Sequence, residues 1–372
     1  MSAFDAVWNL GLKASRRLQS AHKPLVRYAR RNSREQEHQA FRDEAQAIDG
    51  RIADVASGSG PIVVGPWLSE VGYEVLYWIP FLRWFQDAHG VPRERLIVVS
   101  RGGLDELYRP IAGGYVDLFD LTTPQELAAR NAERRATHEG GGQKQTDPGA
   151  FDRELSGRAR VKLGAPPGPT LHPSLLFGLF RNVWYGNLPM DVLWRHVRHA
   201  LTTGLPRPLV PGLPDDFIAA RLYAGPALSI SPGSVRAVRA LVEQAARIAP
   251  VVVLDFDAAL DEHRDFDLSG LAGVTCVGAR MTARDNLGAQ AALIARSRFF
   301  LGTCGGLAWL APFLGVPTVA VYDDDRLIAP HLLVARHAGA LVKAAEFAPL
   351  DLRALGRLGV TGAENPGAGI LR

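Results

Sequence analysis

The chain has 372 residues, 47% hydrophobic and 22% charged, enough for two domains with apolar cores. A mean hydropathy of +0.00 and the lack of an apolar run of about 18 residues point to a soluble protein rather than an integral membrane one. The only cysteines, Cys276 and Cys304, offer neither a disulfide framework nor metal-ligand spacing, which fits a reducing, cytoplasmic setting. Net charge is +4, and Met1–Arg31 holds seven Lys or Arg against the single acid Asp5. Such a basic head suits an anionic surface, for example membrane lipid at the inner face.

Residues 1–56 read as a helical extension. Phe4, Val7, Trp8, Leu10, Leu12 and Leu18 form a partly amphipathic face beside Lys13, Arg16 and Arg17. It lies on a membrane or packs on the domain. The start shows no continuous hydrophobic stretch ahead of its charges, so no secretory signal is expected. Ser57-Gly58-Ser59-Gly60 marks a linker. A first unit spans 57–207: strand Pro61–Gly65, helix Gly72–Ala88, strand Arg95–Ser100, helix Leu104–Ala112 and strand Tyr115–Leu121. Thr123-Pro124-Gln125-Glu126 has a capping-box pattern with proline at the first helical position, so a helix starts there. Gly140–Gly149 reads as a mobile loop or lid, followed by charged, proline-rich sequence to Pro173 and helices at Pro173–Trp184 and Pro189–Leu201. Four prolines between Gly204 and Pro214 mark an interdomain linker.

A second unit spans 208–345: strand Phe217–Tyr223, helix Ser234–Ile248, strands Val251–Phe256 and Val274–Gly278, helix Arg284–Ser297 and a strand through Phe299-Phe300-Leu301. The turn Gly302-Thr303-Cys304-Gly305-Gly306 leads into helix Leu307–Leu314 and strand Thr318–Tyr322, and 346–372 is left as a C-terminal tail. This alternation predicts an α/β fold of two Rossmann-like, doubly wound parallel-sheet domains facing across a cleft. Ligands in such sheets bind at the carboxyl ends of the strands.

Several residues fit chemistry at that cleft. At Thr303, Cys304, Gly305 and Gly306, backbone N–H groups and the positive end of the next helix suit a diphosphate. A tight turn without a ligand is the bland alternative. In the loop Gly65–Glu74, Glu70 and Glu74 sit beside glycines, and either could take a proton from a sugar hydroxyl or cap the helix start. Arg221 ends a strand that is otherwise apolar, where a cation would hold a phosphate or a structural carboxylate. Asn286 and Gln290 are one helical turn apart and would bind donor hydroxyls or pack. Arg280 follows the strand ending at Gly278 and could approach a nucleotide. His263 with Glu262 and Asp265 has no recognised ligand spacing, and Asp323-Asp324-Asp325 reads as a solvated turn, so no metal is expected.

The segment GYEVLYWIPFLRW, Gly72–Trp84, resembles the first-domain motif of lipopolysaccharide heptosyltransferases, roughly G-D-x-L-x-x-x-P-x-L, with Glu74 at the acid and Pro80 and Leu82 in register. Thr303, Gly305 and Pro317–Tyr322 resemble the same family's Asp-Thr-Gly-x-x-His signature and the strand after it. Gly302 stands where that acid would be, and the histidine is absent. The resemblance is therefore to a distant GT-B-fold glycosyltransferase and covers about residues 60–345. It implies metal-independent transfer from a nucleotide-sugar, a co-substrate and not a cofactor, to a glycan or glycolipid acceptor. Glu74 would be the base, with Glu70 its alternative. A non-catalytic nucleotide- or sugar-binding module is a second reading. A dinucleotide-dependent oxidoreductase is disfavoured, because no clean Gly-x-Gly-x-x-Gly follows the first strand. The absence of an aromatic stacking pattern argues against nucleic acid.

Overall fold

Short branched runs make the strands. Ile62–Val64 (β1), Leu96–Ser100 (β2), Gly114–Asp117 (β3) and Thr170–Leu171 (β4) pair in parallel in the order β3-β2-β1-β4. Ile218–Arg221 (β5), Val251–Val253 (β7), Val274–Cys276 (β9), Phe299–Thr303 (β10), Thr318–Tyr322 (β11) and Phe347–Asp351 (β12) form a separate parallel sheet, ordered β12-β11-β10-β5-β7-β9. Tyr223–Ala224 (β6) and Arg264–Asp265 (β8) add a small antiparallel pair. The second sheet has the doubly wound order, with its direction reversing between β5 and β10. This computed structural model describes residues 35–137, 145–205, 210–256 and 263–357. The basic head at 1–31, residues 140–144 of the 140–149 loop, and Asp261 and Glu262 fall outside the described residues.

Alternate side chains of each sheet enter different cores. Val63, Val99 and Val116 pack on one face of the first sheet, and Ile62, Val64, Leu96 and Val98 on the other. That second face belongs to an apolar cluster that also holds Ala219, Val252 and Phe300 of the second sheet, so one core runs through both lobes. Residues 35–56 (α1) form a helix, and Ile48 and Ile52 bury in this core. Among the described residues, no helix is long and apolar enough to cross a membrane.

Helix α2 positions the first-lobe side of the site. It comprises Val71–Tyr73, a π-turn at Glu74–Trp78 and Ile79–His89. Pro80 has no N–H for the Leu76 carbonyl four residues back. Within this irregular turn the Ile79 N–H reaches the Glu74 carbonyl, while His199 Nε2 takes the Leu76 oxygen at 2.9 Å. The helices Pro173–Trp184 (α3), Asn286–Arg296 (α4), Gly306–Leu310 (α5) and Ala329–Val342 (α6) complete the parts used below.

Two segments depart from the sequence reading. Ala150–Leu163 is a helix, not irregular chain, with Phe151, Leu155 and Ala159 buried at helical spacing. Phe347–Asp351, within the stretch read as tail, is the edge strand of the second sheet. Pro349 is tolerated there because an edge strand can spare an N–H.

Candidate functional site

A small cavity of about 80 Å³ lies between the lobes. The first lobe supplies Glu70, Val71, Gly72 and Arg101, and the second Arg221, Tyr223, Phe256, His263, Asn286, Leu287, Gln290, Gly306 and Leu307. Arg101 follows β2, and Arg221 ends β5 at the point where the strand order reverses. The walls are therefore built where parallel sheets present ligand groups.

Two backbone contacts join the lobes. Gly72 lies so near α5 that a β-carbon on it would stand 2.9 Å from the Gly306 nitrogen. On the other side the Gly288 N–H donates to the Gly102 carbonyl at 2.7 Å.

The two glutamates part company here. Glu70 precedes α2 and lines the cavity, and its side chain makes no capping hydrogen bond to the helix. Glu74 does not line it. Glu74 is 0% exposed, and its Oε1 accepts from Ser100 Oγ and Tyr108 Oη. Burial pushes its pKa up to about 7, against the opposing pull of those two hydroxyls and of Arg101. Glu74, expected as the base with Glu70 its alternative, is thus buried among first-lobe side chains, and of the two glutamates Glu70 is the one that lines the cavity.

Arg221 both faces the cavity and holds an ion pair. Its Nη1 donates to Asp265 Oδ2 at 2.5 Å and to the Leu254 carbonyl at 2.9 Å, and the guanidinium lies over the Tyr223 ring. Burial raises the Asp265 pKa against the pull of Arg221. His263 packs on Tyr223 with ring centroids 4.2 Å apart. Asp323 accepts from the Ser229 N–H and Oγ, and Asp324 pairs with Arg326.

Asn286 and Gln290 are both buried on the wall formed by α4, and Asn286 Oδ1 has no hydrogen-bond partner among the described residues. Of the glycine turn only Gly306 reaches the cavity. Thr303 Oγ1 is taken up by the Tyr223 backbone, accepting from its N–H at 2.9 Å and donating to its carbonyl at 2.7 Å. Cys304 is buried, which pushes its thiol up to about 12, and its N–H bonds the Val321 carbonyl. A β-carbon on Gly305 would lie 3.2 Å from Tyr223 Oη, so this ring covers the bend. Arg280 is exposed, reaches the Pro211 carbonyl at 3.2 Å and does not line the cavity.

Arg101 is a cavity residue that the site reading lacked. It is 4% exposed, its Nη2 donates to the Ser69 carbonyl, and its Nε has no partner among the described residues. The signal was available: a cation ends the apolar run Val98-Val99-Ser100-Arg101, as Arg221 ends its own strand. Tyr223, Phe256, His263 and Leu287 carry no comparable signal.

No family model and no curated protein matches the chain. Solved structures that it resembles include a family 9 glycosyltransferase from Veillonella parvula, 14% identical over 82% of this chain and 89% of that one, with a TM-score of 0.41. The ADP-heptose LPS heptosyltransferase II of E. coli is 16% identical over 70% and 84%, TM-score 0.36. The E. coli heptosyltransferase WaaC with ADP is 14% identical over 80% and 98%, TM-score 0.35. Likeness at this level does not assign an activity, and the architecture above stands on the chain's own two sheets.

Proposed function

We propose that the chain is a GT-B-type glycosyltransferase that moves a sugar from a nucleotide-activated donor to a glycan or glycolipid acceptor at the interlobe cavity. One observation carries the reading: a carboxylate and two guanidiniums, Glu70, Arg101 and Arg221, line one cavity at the carboxyl ends of two parallel sheets. Glu70 takes the proton of the acceptor hydroxyl as that oxygen attacks the anomeric carbon. The bond from that carbon to the donor diphosphate breaks, and Arg221 and Arg101 offset the charge on the departing group. Asn286 and Gln290 hold donor hydroxyls. Small-molecule sites commonly measure about 300–1,000 Å³, so loading a nucleotide-sugar requires the lobes to part and close again.

A thermal-shift panel of nucleoside diphosphates on the full chain tests the donor site, since a ligand of the folded state raises the melting temperature by mass action. One diphosphate is expected to stabilise the wild type, with the shift lost in Arg221→Gln. Activated sugars carrying that base should then turn over. A panel with no response would reject the donor site, and donor binding without turnover on any acceptor would leave a binding module.

A further inference from the structure

A second cavity, about 490 Å³, lies beside the edge strand β4 and shares no wall residue with the first. Arg51 of α1, Asp152, Arg153 and Arg160 of the helix Ala150–Leu163, and His172 and Ser174 at the start of α3 line it.

Ser174 is 8% exposed, and its Oγ has no hydrogen-bond partner among the described residues. A buried hydroxyl left so is unfavourable, and a ligand oxygen in the cavity would relieve it. It stands in the first turn of a twelve-residue helix, where the macrodipole favours negative charge. Arg51 and Arg153 have no carboxylate partner among the described residues; Arg153 Nη1 reaches only the Pro148 carbonyl, at 2.6 Å. Arg160 holds the carbonyls of Pro166, Gly168 and Pro169 and stiffens the wall. Asp152 is turned inward, accepting from Gln145 Nε2 at 2.6 Å and the Gly149 N–H at 2.9 Å and facing His172 Nε2 at 3.2 Å. Asp54 is the remaining acid on the wall.

The same bonds exclude nucleophilic use of Ser174. His172 Nδ1 accepts the Ser174 backbone N–H at 3.1 Å and Nε2 faces Asp152, so no ring nitrogen is left to take the hydroxyl proton. What remains is a recognition site: two cations without carboxylate partners, an orphan hydroxyl and the positive end of a helix around a space larger than a phosphate.

We propose that this cavity binds a phosphate monoester on a small polar body of sugar-phosphate size. Arg51 and Arg153 hold the phosphate, and Ser174 Oγ bonds a ligand oxygen. This site is independent of the interlobe reaction.

Isothermal titration of the full chain with inorganic phosphate and with a hexose 6-phosphate, at constant ionic strength, tests it. The hexose phosphate is expected to saturate one site, with inorganic phosphate weaker. The double variant Arg51→Gln/Arg153→Gln should weaken binding at least about tenfold, because both charge-assisted contacts go. Ser174→Ala should weaken it about fivefold. Arg221→Gln, in the other cavity, should leave it unchanged. Both arginines are exposed, and an unchanged melting temperature in phosphate-free buffer would confirm that the double variant folds. The proposal is overturned if neither probe saturates, if the double variant binds as the wild type does, or if Arg221→Gln abolishes binding instead.

Discussion

Gly72 of the first lobe and Gly306 of the second meet backbone to backbone, with Trp309 closing over the contact: a β-carbon on Gly72 would lie 2.9 Å from both the Gly306 nitrogen and the Trp309 ring. The Gly102–Gly288 hydrogen bond makes a matching seam on the other side, where a β-carbon on Gly288 would overlap the Gly103 carbonyl. These backbone contacts between the lobes leave no room for a side chain, so they set how far the lobes can close. Gly72→Ala props the first seam open. Small-angle scattering should give a larger radius of gyration, and turnover should fall on the order of a hundredfold, as expected when reacting groups are held about 1 Å out of place. Wild-type scattering and turnover in that variant would remove the seam from any part in closure.

Glu70 and Glu74 make opposite predictions for the same substitution. Glu70→Gln removes the carboxylate that faces the cavity, and transfer should drop by about a hundredfold or more while diphosphate binding persists. Glu74→Gln leaves an amide oxygen to accept from Ser100 and Tyr108, and turnover should stay within a few-fold of wild type. Single-turnover rates with saturating donor separate the two, and the reverse ranking would return the base role to Glu74.

Which parts could be read from sequence follows from how local each signal is. Pro173 at a helix start and the dense apolar run to Trp184 define α3 without tertiary help, and the structure places that helix over the same residues. Arg221 is legible because a cation has no reason to end an apolar strand unless something meets it. Arg101 carries the same mark and belonged beside it. Helix phase is a different matter. Motif register selects Glu74, but the irregular winding around Pro80 settles which side chain turns toward the core. Thr303 and Cys304 are hidden by Tyr223 and Val321, partners from distant segments that spacing does not announce. β12 was obscured by Pro349, since only the sheet order reveals an edge position.

His331 ties the lobes together from the other direction. It rises from α6 of the second lobe, with Nε2 3.0 Å from Tyr73 Oη and Nδ1 2.6 Å from Tyr77 Oη, both on α2 of the first. All three rings sit against Trp184. His331→Phe keeps the ring packing and deletes both hydrogen bonds inside this cluster. Urea denaturation should show a loss of about 2–4 kcal/mol. A loss under about 0.5 kcal/mol would mean the aromatic packing alone joins the lobes.

His199 and Glu74 titrate in overlapping windows with opposite sign, so the wild-type pH profile hides both. Burial lowers the His199 pKa from 6.5 to about 4, and its neutral Nε2–H serves the Leu76 carbonyl beside Pro80. Between those values the unfolded chain holds the proton and the folded chain does not, so stability falls as pH drops from 6.5 toward 4. Glu74, raised from 4.5 to about 7, behaves in reverse: the folded chain keeps the proton that the unfolded chain has released, and stability falls as pH rises through that range. Each effect is on the order of 3 kcal/mol, and together they flatten the profile. Glu74→Gln should therefore unmask the histidine, giving a protein that loses stability in acid and is more stable than wild type at pH 8. His199→Gln retains a donor for Leu76 and should show the opposite slope, losing stability from pH 5 to 7. Urea midpoints at pH 5, 6, 7 and 8 for both variants decide the matter; parallel profiles would show that neither group titrates as its burial requires.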